Sequence, residues 1–364
     1  MTRTATRIAT ATQAVTVTSN TPVVTDWAIR YFGPWWNATS TTAADGPQVT
    51  ADVNPDRVTE IAQRVADRAY EETVYANTSM LVDRDDDGTV LASQPDDKLA
   101  YQAEPGGPLH IYGGEDVPVA LAAARLAREV VRGQLVADGW SILHASAVVR
   151  DGQTVLTLGD KGAGKTTTAL LLARAGWQLL ANDRVFIRRE NDRLRVLPWP
   201  SAAAIGLGLL DALGWYDQVR ARVQRGEQLH PTQHQKVTDA LHSGIRAPLW
   251  KESGKELKPQ FFPDQLASWL GLTLATEGHA ARILFPQITP GAEPTLRDEN
   301  RTVAAGDFFT AGTEDRYPDV FGLLPADLPD TEPLLELLGE LSRHTVVLGH
   351  DVKANTDFLQ QTTA

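Results

Sequence analysis

The sequence predicts an α/β protein with a mixed sheet, preceded by a smaller α+β part, on three observations. First, GDKGAGKT at Gly159 to Thr166 fits G-x-x-x-x-G-K-[ST] at every defined position, between the strand-like Thr154–Leu158 and the helical run Thr166–Arg174. Second, turn signals at Arg150-Asp-Gly152 and Glu190-Asn-Asp192 put hairpins on both sides of that loop, which a purely parallel core would lack. Third, the front half alternates short strand patterns with amphipathic helices.

Along the chain, residues 1–13 read as a flexible tail, 14–116 as an N-terminal α+β domain, and 117–364 as a phosphate-loop domain with a polar insertion near 224–263. Ala14–Thr18 and Val23-Val24 have strand character, and a helix starts at Asp56 with Val58, Ile61, Val65 and Ala69 on one face. Asp83-Arg-Asp-Asp-Asp-Gly88 starts like a calcium loop, but Gln94 stands where a bidentate Glu is needed, and a hairpin turn at Asp87-Gly88 is the favoured reading. A second helix, Val117 to Leu135, opens the phosphate-loop domain and leads into one strand, Ser141–Val149. After the loop's helix come strands at Trp177–Ala181 and Arg184–Ile187. The insertion, with Pro231, Pro248 and Pro259, reads as a mobile lid or partly disordered segment. A helix from Glu332 to Leu341, a strand from His344 to Leu348 and a helix from Asp351 close the chain.

Composition narrows the function classes. The 364 residues are 42% hydrophobic and 22% charged, as in a globular protein. A net charge of −12 and a pI of about 5.1 argue against nucleic-acid or membrane-surface partners. There is no cysteine, so disulfides, thiolate nucleophiles and Cys–metal sites are excluded, and a cytoplasmic location is expected. No apolar run nears the length of a membrane span.

The chemistry starts at the loop. Its glycines lack a Cβ, so successive backbone N–H groups can curl around one anion at the positive end of the following helix. Gly159, Asp160, Lys161, Gly162, Ala163, Gly164, Lys165, Thr166 and Thr167 are therefore the expected nucleotide-binding residues, with Lys165 on the β and γ phosphates and the Thr166 hydroxyl on Mg²⁺. The helix climbs about 16 Å and a six-residue strand returns roughly 20 Å, which brings Asn182 and Asp183 to the same sheet edge. Asp183 thus either faces the γ-phosphate or makes an Asx turn between two strands. His144 serves either as a hydrogen-bonded core residue or at the site. Lys255 and Lys258 either reach a polyphosphate or lie on a solvated surface. A zinc site from His230, His234 and His242 lacks a carboxylate at ligand spacing.

Leu143-His-Ala-Ser-Ala-Val-Val149, GDKGAGKT and Ala175-Gly-Trp-Gln-Leu-Leu-Ala-Asn-Asp-Arg-Val185 together resemble the HPr kinase/phosphorylase superfamily, whose fold is related to the ATP-dependent phosphoenolpyruvate carboxykinases. Weaker similarity runs through Val196–Pro200, Lys255–Pro286 and Val347–Asp351. The front part resembles that of shorter kinase-like relatives among bacterial accessory and natural-product proteins. The resemblance implies a Mg²⁺-dependent kinase that moves the γ-phosphoryl of ATP, or of GTP, to a hydroxyl of a peptide, a protein or a small biosynthetic intermediate, and it implies oligomers. It assigns Lys165, Asp183 and His144 to catalysis, and Thr166 and Asp183 to the metal. The family's adjacent acidic pair is Asn182-Asp183 here, so the first acid, usually the general base and acid, is replaced. Two other readings stay open: a nucleotide-binding regulatory or accessory module without transfer, and a small-molecule kinase of the shikimate type.

Overall fold

A computed structural model describes residues 3–298, 301–309 and 317–364. They form two compact units, one from residues up to Trp140 together with the segment ending at Pro329, the other from Ser141–Phe308 and Asp330–Ala364.

The first unit is a nine-stranded sheet with helices against it. In chain order it contains β1 (Thr4–Thr10), β2 (Gln13–Ser19), α1 (Pro22–Trp36), β3 (Thr39–Ser40), β4 (Gln48–Val53), α2 (Pro55–Ala66), β5 (Glu71–Tyr75), β6 (Thr78–Arg84), β7 (Val90–Gln94), β8 (Leu99–Ala103), β9 (Leu109–Gly113) and α3 (Asp116–Ala137). Strand order is β3-β1-β2-β4-β9-β8-β7-β6-β5, with β2, β4 and β9 parallel to one another.

Residues 4–10 are thus a strand and not part of a tail. Thr6 and Ile8 are fully buried and the β1–β2 hairpin pairs seven residues on each side, as suits a Thr-rich alternating segment. Val23-Val24 lie in a helix and not a strand. Pro22 at the first helical position presets the backbone, and Trp27, Phe32, Trp35 and Trp36 give the helix a large apolar face that local strand propensity cannot outweigh. α2 begins and faces as expected, with Ile61 and Val65 packed on Leu91 and Ala100. The Asp83–Gly88 acids serve the β6–β7 hairpin: Asp83 pairs with Arg68 at 2.9 Å and Asp85 with Arg64 at 2.7 Å.

α3, expected to open the phosphate-loop domain, packs on α1, β2, β4 and β9 of the first unit, so the division falls after Trp140. Its Val119, Leu126, Val131 and Leu135 are buried there, a partnership that helical periodicity does not reveal.

The second unit holds β10 (Ser141–Leu143), β11 (Ser146–Arg150), β12 (Gln153–Thr157), α4 (Lys165–Arg174), β13 (Gln178–Ala181), β14 (Val185–Glu190), β15 (Arg193–Pro198) and β16 (Ala203–Ala204), then α5 (Leu207–Ala212), α6 (Tyr216–Gln224), α7 (Gln235–Ser243), β17 (Leu249–Trp250), β18 (Glu256–Leu257), β19 (Gln260–Phe261) and α8 (Pro263–Ser268). It closes with β20 (Gly278–Ile288), β21 (Thr295–Arg297), a 3-10 turn at Ala305–Asp307, α9 (Glu332–Glu340), β22 (Ser342–Leu348) and α10 (Val352–Thr363). The central sheet is mixed: β12 runs antiparallel to β11 and parallel to β20, and β20 is parallel to β22. Its core joins Leu156, Leu180, Val185, Val196, Ile283 and Leu338.

The expected single strand 141–149 is two. The chain leaves β14 at Leu143 and joins β12 and β13 at Ser146, while the His144 backbone N–H donates to the Asp307 carbonyl at 2.9 Å. The insertion is structured too, not irregular: α7 buries Val237 and Leu241, and β19 buries Phe261. Its His230 packs on the Phe262 ring and bonds Thr232 at 2.8 Å, while His234 caps α7. Among the described residues no helix is long and apolar enough to cross a membrane.

Candidate functional site

The sheet register positions the site. β12 and β13 both run antiparallel to β11, so both deliver their carboxyl ends at its start, where Ser146 lies opposite Thr157 and Ala147 opposite Ala181. The phosphate loop leaves one of these ends and Asn182-Asp183 the other. Both arrive at the same sheet edge, one strand apart.

The loop has the shape of an anion cradle. α4 starts at Gly164 with no side-chain cap, which leaves its first N–H groups for an incoming anion. Gly164 has φ 111°, and a Cβ there would lie 2.8 Å from Ile288 Cδ1, so the turn requires glycine. Lys165 Nζ donates to the Gly159 carbonyl at 2.6 Å and to that of Asp160 at 3.3 Å, folded back over the hollow that a phosphate would take.

Asn182 links loop and acid. Its carbonyl accepts from Ser146 Oγ at 2.7 Å and from Thr166 Oγ1 at 3.4 Å, and its side-chain Oδ1 accepts from Ser201 Oγ at 3.3 Å. The residue is buried. Asp183 follows with its side chain 44% exposed, His144 Nε2 at 3.1 Å and Arg184 Nε at 3.6 Å. An ionised carboxylate only accepts, so Nε2 of His144 carries the proton in this pair. Burial works to raise the Asp183 carboxyl, but the His144 hydrogen bond, the charges of Arg184 and His144 and the Lys165 ammonium outweigh it and hold it below the ordinary range.

Of the residues expected at the site, Lys165, Thr166, Asp183 and His144 come together. Lys258 pairs with Glu256 at 3.1 Å, and Lys255 stands on the loop joining β17 to β18. Among the described residues no three His, Asp or Glu side chains form a metal-holding group. A Mg²⁺ ion would draw on the Thr166 hydroxyl, the Asp183 carboxylate, phosphate oxygens and water, a donor set that suits it.

Ser201, Arg301 and Asp307 join the site without forming part of any motif read in the sequence, while Ser146 and Arg184 lie within the segments that carry the resemblance but had no role assigned there. Arg301 Nη2 donates to Asp307 Oδ1 at 2.6 Å, and Asp307 Oδ2 accepts from the Ala304 N–H at 3.0 Å. The bridge Leu143–Phe308, the His144–Asp307 bond and the Phe285 ring beside Arg301 hold this segment at the site.

No family model matches the chain. It is 29% identical over 138 residues to the HPr kinase/phosphorylase of Caldicellulosiruptor bescii, which covers 36% of this chain and 40% of that protein. A solved structure, the HPr(Ser) kinase/phosphatase from Coxiella burnetii, matches with 16% identity and a TM-score of 0.21, over 43% of this chain and 65% of its own. The chain thus spans less than half of its curated relative, and over that stretch its sequence is similar to an HPr kinase/phosphorylase.

Proposed function

We propose that the second unit is a Mg²⁺-dependent kinase that transfers the γ-phosphoryl group of ATP, or of GTP, to a hydroxyl, on serine of a peptide or protein or on a small biosynthetic intermediate. The observation that carries the reading is the carboxylate of Asp183 beside the phosphate loop, joined to it through the Asn182 carbonyl that accepts from Thr166. The curated relative's name, HPr kinase/phosphorylase, supports a protein acceptor.

Phosphoryl transfer asks for positioning and charge neutralisation more than for covalent help from the protein. The loop amides and Lys165 hold the triphosphate. Bound Mg²⁺ would neutralise charge on the β and γ oxygens. Asp183, ionised at neutral pH, accepts the hydroxyl's hydrogen bond and aims its oxygen at phosphorus, while His144 Nε2–H fixes the carboxylate rotamer. A carboxylate with a depressed pKa is a weak base, so Asp183 orients the acceptor and takes its proton late.

A second reading, a nucleotide-binding module without transfer, is favoured by Asn182: it stands where the family has an acid and is committed to Ser146, Thr166 and Ser201. Labelled ATP incubated with serine peptides, candidate proteins and small hydroxyl acceptors separates the two. Transfer that disappears in Lys165→Ala supports the kinase; tight binding with neither transfer nor hydrolysis supports the module.

A further inference from the structure

A cavity of about 520 Å³ opens beside the phosphate loop. β12 has β11 on one edge and β20 on the other. Arg301 of the cavity connects to Asp183 through Asp307, whose carbonyl accepts from the His144 N–H at 2.9 Å. The cavity is walled by Phe285 and Gln287 at the end of β20, by Thr345 of β22 and by Arg301, and it meets the loop at Gly159 and Ala163.

The loop's own amides and Lys165 already provide for phosphates, so a space of this size invites the remainder of the ligand. Arg301 gives that space its chemistry. Asp307, with its side chain 9% exposed, holds one edge of the guanidinium, and the Phe285 ring backs it at 4.8 Å from the centroid. The planar cation is therefore fixed, 39% exposed, with its charge balanced by a carboxylate. Such a balanced pair is poorly suited to gripping a polyphosphate, but its flat face suits stacking on a heteroaromatic ring.

We propose that this cavity receives the nucleoside half of the nucleotide, with the base stacked on Arg301 and its polar edge met by Gln287. The proposal rests on the kinase reading's nucleotide site and deepens it. The nucleoside then lies toward the ends of β20 and β22, and the Asp307–His144 bond connects that cavity to the Asp183 carboxylate.

The test is calorimetric titration with Mg²⁺ present, using ATP and inorganic tripolyphosphate as probes, on the parent chain, Arg301→Ala and Arg301→Lys. The parent is expected to bind ATP more tightly than tripolyphosphate. Arg301→Ala loses about tenfold in ATP affinity and less than about twofold for tripolyphosphate. Arg301→Lys, which keeps the charge but not the plane, loses most of the same ATP affinity. Three results overturn the proposal while leaving the phosphate loop intact: equal losses for both probes that lysine restores, no loss for either, or a parent that binds tripolyphosphate as well as ATP. A parent that binds neither probe overturns the nucleotide site and this proposal together. Should Arg301→Ala not fold, the lysine variant and the parent's two affinities still decide.

Discussion

His144 Nε2 stands 3.1 Å from Asp183 Oδ1, although the two residues come from different strands' ends. β10 pairs antiparallel with β14, with Leu143 opposite Val185, so the residue after one strand meets the residues before the other. The contact then depends on the chain breaking out of its strand at 144–145.

That pair sets a pH dependence. The Asp183 carboxyl sits below its ordinary value of 3.8, so it stays ionised throughout the neutral range, and its folded-state interactions add stability above that value that is lost as pH falls through the lower, folded one. In His144→Ala the hydrogen bond and the nearby charge go, and the carboxyl rises. The acid limb of the kcat/KM profile for transfer is expected to move to higher pH, so activity at about pH 5 falls more than at about pH 8. Equal losses at both would show that His144 acts on something other than this carboxylate.

Lys165 hydrogen-bonds within its own loop, so its removal should spare the fold and damage the site. Lys165→Ala is expected to weaken Mg-ATP binding and to lower transfer by about a hundredfold or more, with an unchanged urea midpoint. Binding calorimetry and turnover on the same preparation check it.

Gly164→Ala tests the cradle itself. The positive φ and the collision with Ile288 should cost about 1–3 kcal/mol in denaturant unfolding. Because the turn must reshape, nucleotide affinity should fall with it, even though no side chain that touches phosphate has been lost.

Asn182→Asp places a second carboxylate next to Asp183, with Ser201 Oγ ready to donate to it. Repulsion between the two acids raises the pKa of at least one and supplies a stronger base than Asp183 by itself. Transfer is expected to rise by about tenfold or more with little change in KM for ATP. A rate that stays flat or falls would mean that Asp183 alone suffices.

In the first unit, α3 lies so close to the segment after residue 317 that a Cβ on Gly133 would be 2.0 Å from the Leu323 carbonyl oxygen. Backbone cannot yield there as a side-chain tip could. Gly133→Ala is expected to destabilise the chain by about 3 kcal/mol or more, read from thermal or urea unfolding.

Features written within a few residues were legible in the sequence. The phosphate loop is a local pattern of glycines between a strand and a helix, and it lies where the pattern puts it. Helix α2, the hairpins at Asp151-Gly152 and Glu190–Asp192, and α10 with its Asp351 cap, whose carboxylate accepts from the Ala354 N–H at 2.9 Å, are equally local. Even the shared edge of Asp183 and the loop followed from helix rise and strand length.

Partnership was beyond it. Thr4–Thr10 became a strand because β2 and β3 were there to pair with it, and Val23-Val24 became helix because the aromatic face behind them had a sheet and α3 to cover. Arg301 and Asp307 reach the site only through long-range bridges. Local backbone chemistry by itself therefore determined the anion loop and the elements that flank it. Which strands would be neighbours, where Ser141–Val149 would break to present His144, and which distant cation would line the cavity beside the loop were decided by tertiary packing, because pairing and burial free energies depend on surfaces that no short stretch of chain contains.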